Sequence, residues 1–138
     1  MSSDRRGQLV NSLSDKAYRD AFVEANITHD LAFQIRALRD RHGWTQAELG
    51  ERVGMAQETI SLFESGDYGR FTLRSLKRLA SAFDVALLVR FGAFSELVDW
   101  VDTLSEEKLA PVSFSNNSAL LDSGASVNGF ATGKTVDR

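Results

Sequence analysis

Apolar residues recur at helical spacing through much of the first 84 positions of this chain. Thr28 can cap one helix, and a second helix is expected from Thr72 to Phe83, each with apolar residues every three or four positions. The apolar positions of these two predicted helices are Leu31, Ile35, Leu38, Leu73, Leu76, Leu79, Ala80 and Phe83. A further amphipathic helix is predicted at residues 14–26, after a loose arm at residues 1–12.

The pattern of residues 45–66 predicts two short helices that meet at a glycine turn. Thr45 can cap the first helix, and Glu48 three residues later completes a capping box. Gly54 ends this helix, because a left-handed backbone is least costly for glycine. The second helix begins near Ala56. The residues that face inward on the two helices are Leu49, Val53, Ile60 and Phe63, and those on or beside the outward face are Gln57, Glu58, Ser61 and Leu62.

The pattern changes at residues 85–91, which are mostly apolar with no polar period and predict a strand. A lone strand after a helical domain would leave its backbone groups unpaired. We expect it to pair with the same strand of a second chain as a two-stranded ribbon on a two-fold axis. Pairing within the chain and a continued helix remain alternatives.

An amphipathic helix is predicted after Gly92, where apolar residues return at helical spacing. Ser95 can cap this helix, and we expect its apolar stripe to cover the ribbon. The predicted dimer contacts are Leu87, Val89, Phe91, Leu97, Trp100 and Val101. Order is expected to end at Pro111, because a flexible tail rich in Ser, Asn, Gly and Ala follows.

The composition excludes several kinds of chemistry and shows how charge is distributed along the chain. The 138 residues include no cysteine, which excludes disulfides, thiol catalysis and cysteine-ligated zinc. No apolar run approaches the roughly 18 residues that span a membrane, and the N-terminus has no apolar signal segment. The formal net charge is −3, but residues 35–78 hold eight bases against six acids and residues 91–138 hold three against seven. The excess of acidic residues therefore lies after residue 90, and a cytoplasmic location is expected.

The segment from about residue 31 to residue 85 resembles the Cro/C1-type (Xre family) helix-turn-helix of phage and bacterial repressors. The residues that carry the resemblance are Ile35 to Arg39, Thr45, Gln46, Gly50, Gly54, Ile60 to Gly66, Thr72, Leu73 and Leu79 to Val85. The resemblance implies a mainly α fold with a five-helix, lambda-repressor-like DNA-binding domain at residues 28–84. The other predicted units are an N-terminal arm and extra helix (1–27), a strand and helix for dimerisation (85–110) and the tail (111–138).

The resemblance also implies which residues contact double-stranded DNA. These residues are Gln46, Gln57, Glu58, Thr59, Ser61, Leu62 and Arg70. Gln46 would anchor a phosphate, Gln57 would read an adenine and Arg70 would fix the register. Glu58 and Ser61 would contact neighbouring base edges, and Thr59 a phosphate or a methyl group.

Two positions depart from the family pattern. Leu62 stands where a basic residue is common, so it either contacts a thymine methyl group or forfeits a phosphate contact. Glu58 would repel phosphate unless it reads a cytosine amino group. Arg39 and Glu64 occupy positions where the family often has a structural ion pair, and we expect them to be buried scaffold.

Other chemistry finds little support in the sequence. The stretch from Gly129 to Thr135 has three residues between its glycines where a phosphate-binding loop has four. His29 and His42 lack metal-ligand spacing, and no catalytic constellation is present. We therefore expect no enzyme activity and no cofactor.

The expected function is that of a homodimeric transcriptional regulator, more often a repressor than an activator, in a bacterial or phage cytoplasm near the nucleoid. One alternative is an antitoxin that also binds a toxin protein through residues 14–26 or through the acidic chain after residue 105. Another is an adaptor that binds a protein instead of DNA, as the acidic composition, Glu58 and Leu62 would allow.

Overall fold

The computed structural model describes residues 2–127, and this range is mainly α-helical, as predicted. The helices are α1 (Ser3–Ser12), α2 (Lys16–Arg41), α3 (Gln46–Val53), α4 (Gln57–Glu64), α5 (Leu73–Phe83), α6 (Phe94–Asp102), α7 (Glu106–Leu109) and α8 (Ser118–Val127), with a 3₁₀ turn (Phe114–Asn116) before α8. None of these helices has the length and apolar character that crossing a bilayer requires.

Helix α2 is a single element of 26 residues, so the predicted break before Thr28 is wrong. Thr28 is buried in the middle of this helix, and its hydroxyl donates a hydrogen bond to the Glu24 carbonyl oxygen at 3.0 Å. A threonine hydroxyl bonded one turn back is satisfied inside a helix and leaves no reason for a cap. The predicted layout of five helices plus a separate N-terminal helix is therefore not seen.

The predicted loose arm at the N-terminus is also wrong, because residues 3–12 form α1. Ser2 caps this helix by accepting a hydrogen bond from the Arg5 backbone N–H. Arg6 then joins α1 to α6 through ion pairs of 2.7 Å to Asp99 and 2.9 Å to Asp102. Sequence periodicity alone gave no sign of this helix, whose apolar residues form no continuous stripe.

One core joins the four helices from α2 to α5, and the predicted inward-facing residues of the short helices are confirmed. The buried members are Ile35, Leu38, Leu49, Val53, Ile60, Phe63, Leu79 and Phe83. Leu49 and Ile60 are 0% exposed. Leu73 was expected in this core but is 53% exposed, because it is the first residue of α5 and projects beyond the packed turns.

Residues 85–93 connect α5 to α6 as an extended segment, and no strand is present between residues 2 and 127. The predicted strand at residues 85–91 is thus absent from the single chain. A strand exists only when a neighbouring strand accepts and donates its backbone hydrogen bonds, and residues 2–127 of one chain supply no such neighbour. Three of its apolar side chains are left in solvent: Leu88 is 86%, Val89 65% and Phe91 104% exposed.

The helix after Gly92 was expected to cover residues 85–91. Instead, α6 and α7 pack on the N-terminal helices. Val98 is buried, and the Trp100 indole N–H donates to Asp30 of α2 at 3.2 Å. Leu109 and Ala110 are buried beside α2. Helices α6 and α7 thus add to the packing around α1 and α2.

Order was predicted to end at Pro111, but a 3₁₀ turn and α8 follow it within the described range. The Phe114 backbone N–H donates to the Asp84 carbonyl oxygen at 2.9 Å, which fastens this segment to the end of α5. Leu120 and Leu121 are about half exposed on α8. The stretch from Gly129 to Thr135, including Phe130, lies outside the described residues.

Candidate nucleic-acid interface

The turn between α3 and α4 has the geometry that its sequence predicts. The Glu48 N–H donates to the Thr45 hydroxyl at 3.1 Å, and the Thr45 N–H donates back to the Glu48 carboxylate at 3.3 Å. Gly54 has a φ of 69°, in the left-handed region. A Cβ at Gly50 would lie 2.5 Å from the Met55 carbonyl oxygen, so only glycine lets the chain return this closely.

Helix α4 is held by its inner face and is open on its outer face. Ile60 and Phe63 are 0% and 4% exposed, and both belong to the core. The predicted DNA-contacting residues of this helix form the opposite side: Gln57, Glu58, Ser61 and Leu62 are exposed and Thr59 is half-buried. A short helix anchored in this way presents its outer side chains on a rigid support.

A chain of hydrogen bonds runs from this exposed face into the domain. The Gln57 side-chain amide donates to the Gln46 amide oxygen at 3.2 Å. Gln46 in turn donates to a Glu64 carboxylate oxygen at 3.5 Å. Sequence reasoning placed Gln46 and Gln57 separately and missed their contact. The signal was their position, because each is the first residue of one of two helices that pack together.

The expected ion pair between Arg39 and Glu64 is present and mostly buried. Two hydrogen bonds of 2.8 and 2.9 Å join the guanidinium to the carboxylate, and the side chains are 13% and 5% exposed. The Arg39 guanidinium also donates to the Trp44 carbonyl oxygen at 2.8 Å. The bonds to Glu64 raise the pKa of Arg39 above its ordinary value. The pair fastens the end of α4 to α2 and to the start of the α3 region.

The loop between α4 and α5 carries the last predicted DNA contact. Arg70 is exposed there, beside the turn at Gly66, whose φ is 80°. Tyr68 packs its ring on Phe63, with centroids 5.6 Å apart, and on Phe71 at 5.9 Å. The Tyr68 ring therefore belongs to the aromatic cluster that joins this loop to the core.

The predicted dimer contacts fall into two groups in the single chain. Val89 and Phe91 are exposed, and Leu87 is half-buried beside the groove between α2 and α5. Leu97, Trp100 and Val101 are half-buried on α6, and Trp100 is hydrogen-bonded to Asp30 within the chain. The extended segment is thus the part of the predicted interface with the most free apolar surface.

Comparisons with known proteins place the similarity on this same region. A helix-turn-helix family model matches residues 35–89. The HTH-type transcriptional regulator YgzD of Bacillus subtilis is 37% identical over 54 residues, which are 39% of this chain and 80% of that protein. An HTH-type transcriptional regulator of Archaeoglobus fulgidus is 37% identical over 54 residues, 39% of this chain and 76% of its own length.

A shorter segment of the chain is similar to an antitoxin. Antitoxin HipB of Escherichia coli (strain K12) is 46% identical over 35 residues, which are 25% of this chain and 40% of that protein. No solved structure matches the chain at a significant level.

Proposed function

Because this chain belongs to the Cro/C1-type (Xre) helix-turn-helix family of transcriptional regulators, we propose that it is a homodimer that reads a palindromic operator through α4. The observation that supports this most is the exposed polar face of α4, which stands on a buried core and is tied to α3 through the Gln57–Gln46 hydrogen bond. We place the protein in the cytoplasm, at the nucleoid.

The dimensions of α4 suit the major groove. An α-helix with its side chains is about 10–12 Å across, and the major groove is about 12 Å wide, so α4 can lie in it. The Gln57 amide gives one N–H to Gln46 and keeps a second N–H and its own oxygen. These two groups match the N7 acceptor and N6 donor of adenine.

The remaining predicted contacts divide between base edges and backbone. Glu58 and Ser61 would meet the bases beside the adenine, and Thr59 would touch a phosphate or a methyl group. Gln46 and Arg70 would bind phosphates on either side of α4 and set its register. A dimer that occupies a promoter in this way would act as a repressor by occlusion.

Dimerisation would use the extended segment at residues 85–91. Within residues 2–127 no backbone hydrogen bond involves residues 86–92. Antiparallel pairing with a second copy would satisfy these groups and would bring together the exposed side chains of Val89 and Phe91. Two recognition helices related by this axis would reach half-sites roughly 34 Å apart.

The dimer is tested by its mass in solution. Val89→Lys combined with Phe91→Lys should convert a dimer into a monomer in sedimentation equilibrium, because charges would face each other across the axis. Leu121→Lys, an exposed leucine outside the segment, is the matched control and should remain dimeric. A wild-type monomer at micromolar concentration, or a dimer that survives the double substitution, would contradict the ribbon.

Base reading is tested at Gln57. Gln57→Ala should weaken binding to the specific site by about 1–3 kcal/mol and relax the preference at one base pair. Binding to random duplex should stay the same, and Gln8→Ala on the exposed face of α1 serves as the control. An equal loss on every duplex would mean that Gln57 does not read a base.

A second candidate function is supported by the similarity to antitoxin HipB. Residues 14–26 and the chain after residue 105 lie outside the region that matches the helix-turn-helix family, and one of them would hold the toxin. A neighbouring reading frame for a small basic protein, and its co-purification with this chain, would favour an antitoxin. Purification of this chain alone from cells that express both proteins would count against it.

A further inference from the structure

Helix α4 exposes one large apolar side chain on an otherwise polar face. Leu62 is 51% exposed, whereas the other apolar residues of the helix, Ile60 and Phe63, are buried. At about 100° per residue, Leu62 lies one turn after Glu58 on the same side. Gln57 lies at the opposite edge of the exposed arc, about 140° away from Leu62 by the same spacing. The reading face therefore has an amide edge and an alkyl edge.

The same face has no cation. Residues 57–64 contain no lysine, arginine or histidine, and their two charges are those of Glu58 and Glu64. The guanidinium of Arg39 is hydrogen-bonded to Glu64 inside the domain, so it does not add a positive charge to this face. The bidentate contact of arginine or lysine with guanine, the commonest specific contact in the major groove, is not available from this helix. Specificity has to come from neutral and apolar contacts together with Glu58.

Among the features of the major groove, an alkyl side chain matches the 5-methyl group of thymine. We propose that Leu62 contacts this methyl group and makes the protein selective for thymine at one position of each half-site. The inference rests on the proposed function, because it takes α4 to lie in the major groove.

The surroundings of Leu62 favour a base over a protein as its contact. Along α4, its neighbours on the exposed face are Glu58 and Ser61, which are both polar. A surface that docks a protein is built around a fully desolvated apolar centre. A single alkyl group between polar side chains fits a methyl group among base edges.

The contact can be measured by removing the methyl group from the DNA. The full chain is first used to select a preferred site from a duplex library with random positions. Each thymine of that site is then replaced by uracil in turn, and affinities are measured for the wild type, Leu62→Ala and Leu121→Ala. Leu121 is 46% exposed and lies on α8, so it is a matched control.

We expect one uracil substitution per half-site to weaken the wild type about fourfold, the equivalent of the roughly 0.8 kcal/mol that one buried methyl contributes. Leu121→Ala should show the same loss, and Leu62→Ala should be insensitive to the substitution. A uracil effect of equal size in wild type and Leu62→Ala, or no uracil effect at any position, would overturn the inference and leave the proposed function intact. A selection that enriches no motif would contradict the proposed function itself, and this inference with it.

Discussion

The buried ion pair between Arg39 and Glu64 gives a sharp prediction about stability. Glu64→Gln keeps the shape of the side chain and removes its charge, so the guanidinium of Arg39 loses its carboxylate while it stays 13% exposed. Removing one partner of a buried pair destabilises a protein by about 3–5 kcal/mol. We expect about 3 kcal/mol, at the lower end of that range, because Arg39 keeps its bond to the Trp44 carbonyl oxygen and an Asp40 carboxylate at 3.2 Å.

The loss is large against the whole free energy of unfolding, which is about 5–15 kcal/mol for a natural domain. It can be measured by urea denaturation of wild type and variant at one temperature, with circular dichroism as the probe. The midpoint should fall while the slope stays the same, because the surface exposed on unfolding does not change. The melting temperature should fall by roughly 10 °C.

A double substitution separates the charge effect from packing. Arg39→Met with Glu64→Leu replaces both partners by apolar groups of similar length, and such replacements are often neutral or stabilising. The double variant should therefore be more stable than Glu64→Gln. The reasoning is refuted if Glu64→Gln lies within about 1 kcal/mol of the wild type, or if the double variant is no more stable than the single one.

Three further predictions concern the space around two glycines and one ion pair at the surface. Gly50→Ala should lower the free energy of unfolding by about 1–3 kcal/mol, because its Cβ would meet the Met55 carbonyl oxygen at 2.5 Å. Gly7→Ala in α1, where nothing lies within 4 Å, should instead stabilise by about 0.5–1 kcal/mol, and equal effects in urea denaturation would contradict both. Arg90 forms a hydrogen bond with Glu96 and lowers the pKa of that carboxyl below its ordinary value of 4.5. The pair therefore contributes to folding stability above pH 4.5, and this contribution is lost as the pH falls through the lower pKa of the folded state. Arg90→Ala should move the Glu96 midpoint upward in an NMR titration, and an unchanged midpoint would contradict the pairing.

The helix-turn-helix could be predicted from the sequence because its determinants are local. A capping box, a left-handed glycine and apolar residues three or four apart each fix the backbone within one or two turns. Thr45, Gly54, Ile60 and Phe63 therefore lie where their spacing puts them. The Arg39–Glu64 pair was also expected, though from family resemblance and not from spacing.

The parts that the sequence did not predict depend on contacts that residue type and spacing do not reveal. Thr28 carries the residue type of a helix cap, but its hydroxyl bonds one turn back and α2 continues through it. Helix α1 is fixed by Arg6, whose partners Asp99 and Asp102 lie more than 90 residues later. The strand at residues 85–91 was predicted from side-chain type, but a strand also needs a partner strand, which the described part of the chain does not supply.

The central claim is that the exposed face of α4 reads a DNA sequence, and binding to the DNA upstream of the protein's own gene tests it most directly. The purified full chain would be titrated against that duplex and a random duplex of equal length, over a range of salt concentrations. We expect the upstream duplex to bind at least 1,000-fold more tightly at physiological salt, the lower end of the range of about 10³–10⁷ for specific regulators. Equal affinity for both duplexes, or no binding to either, would contradict the claim and favour a protein partner.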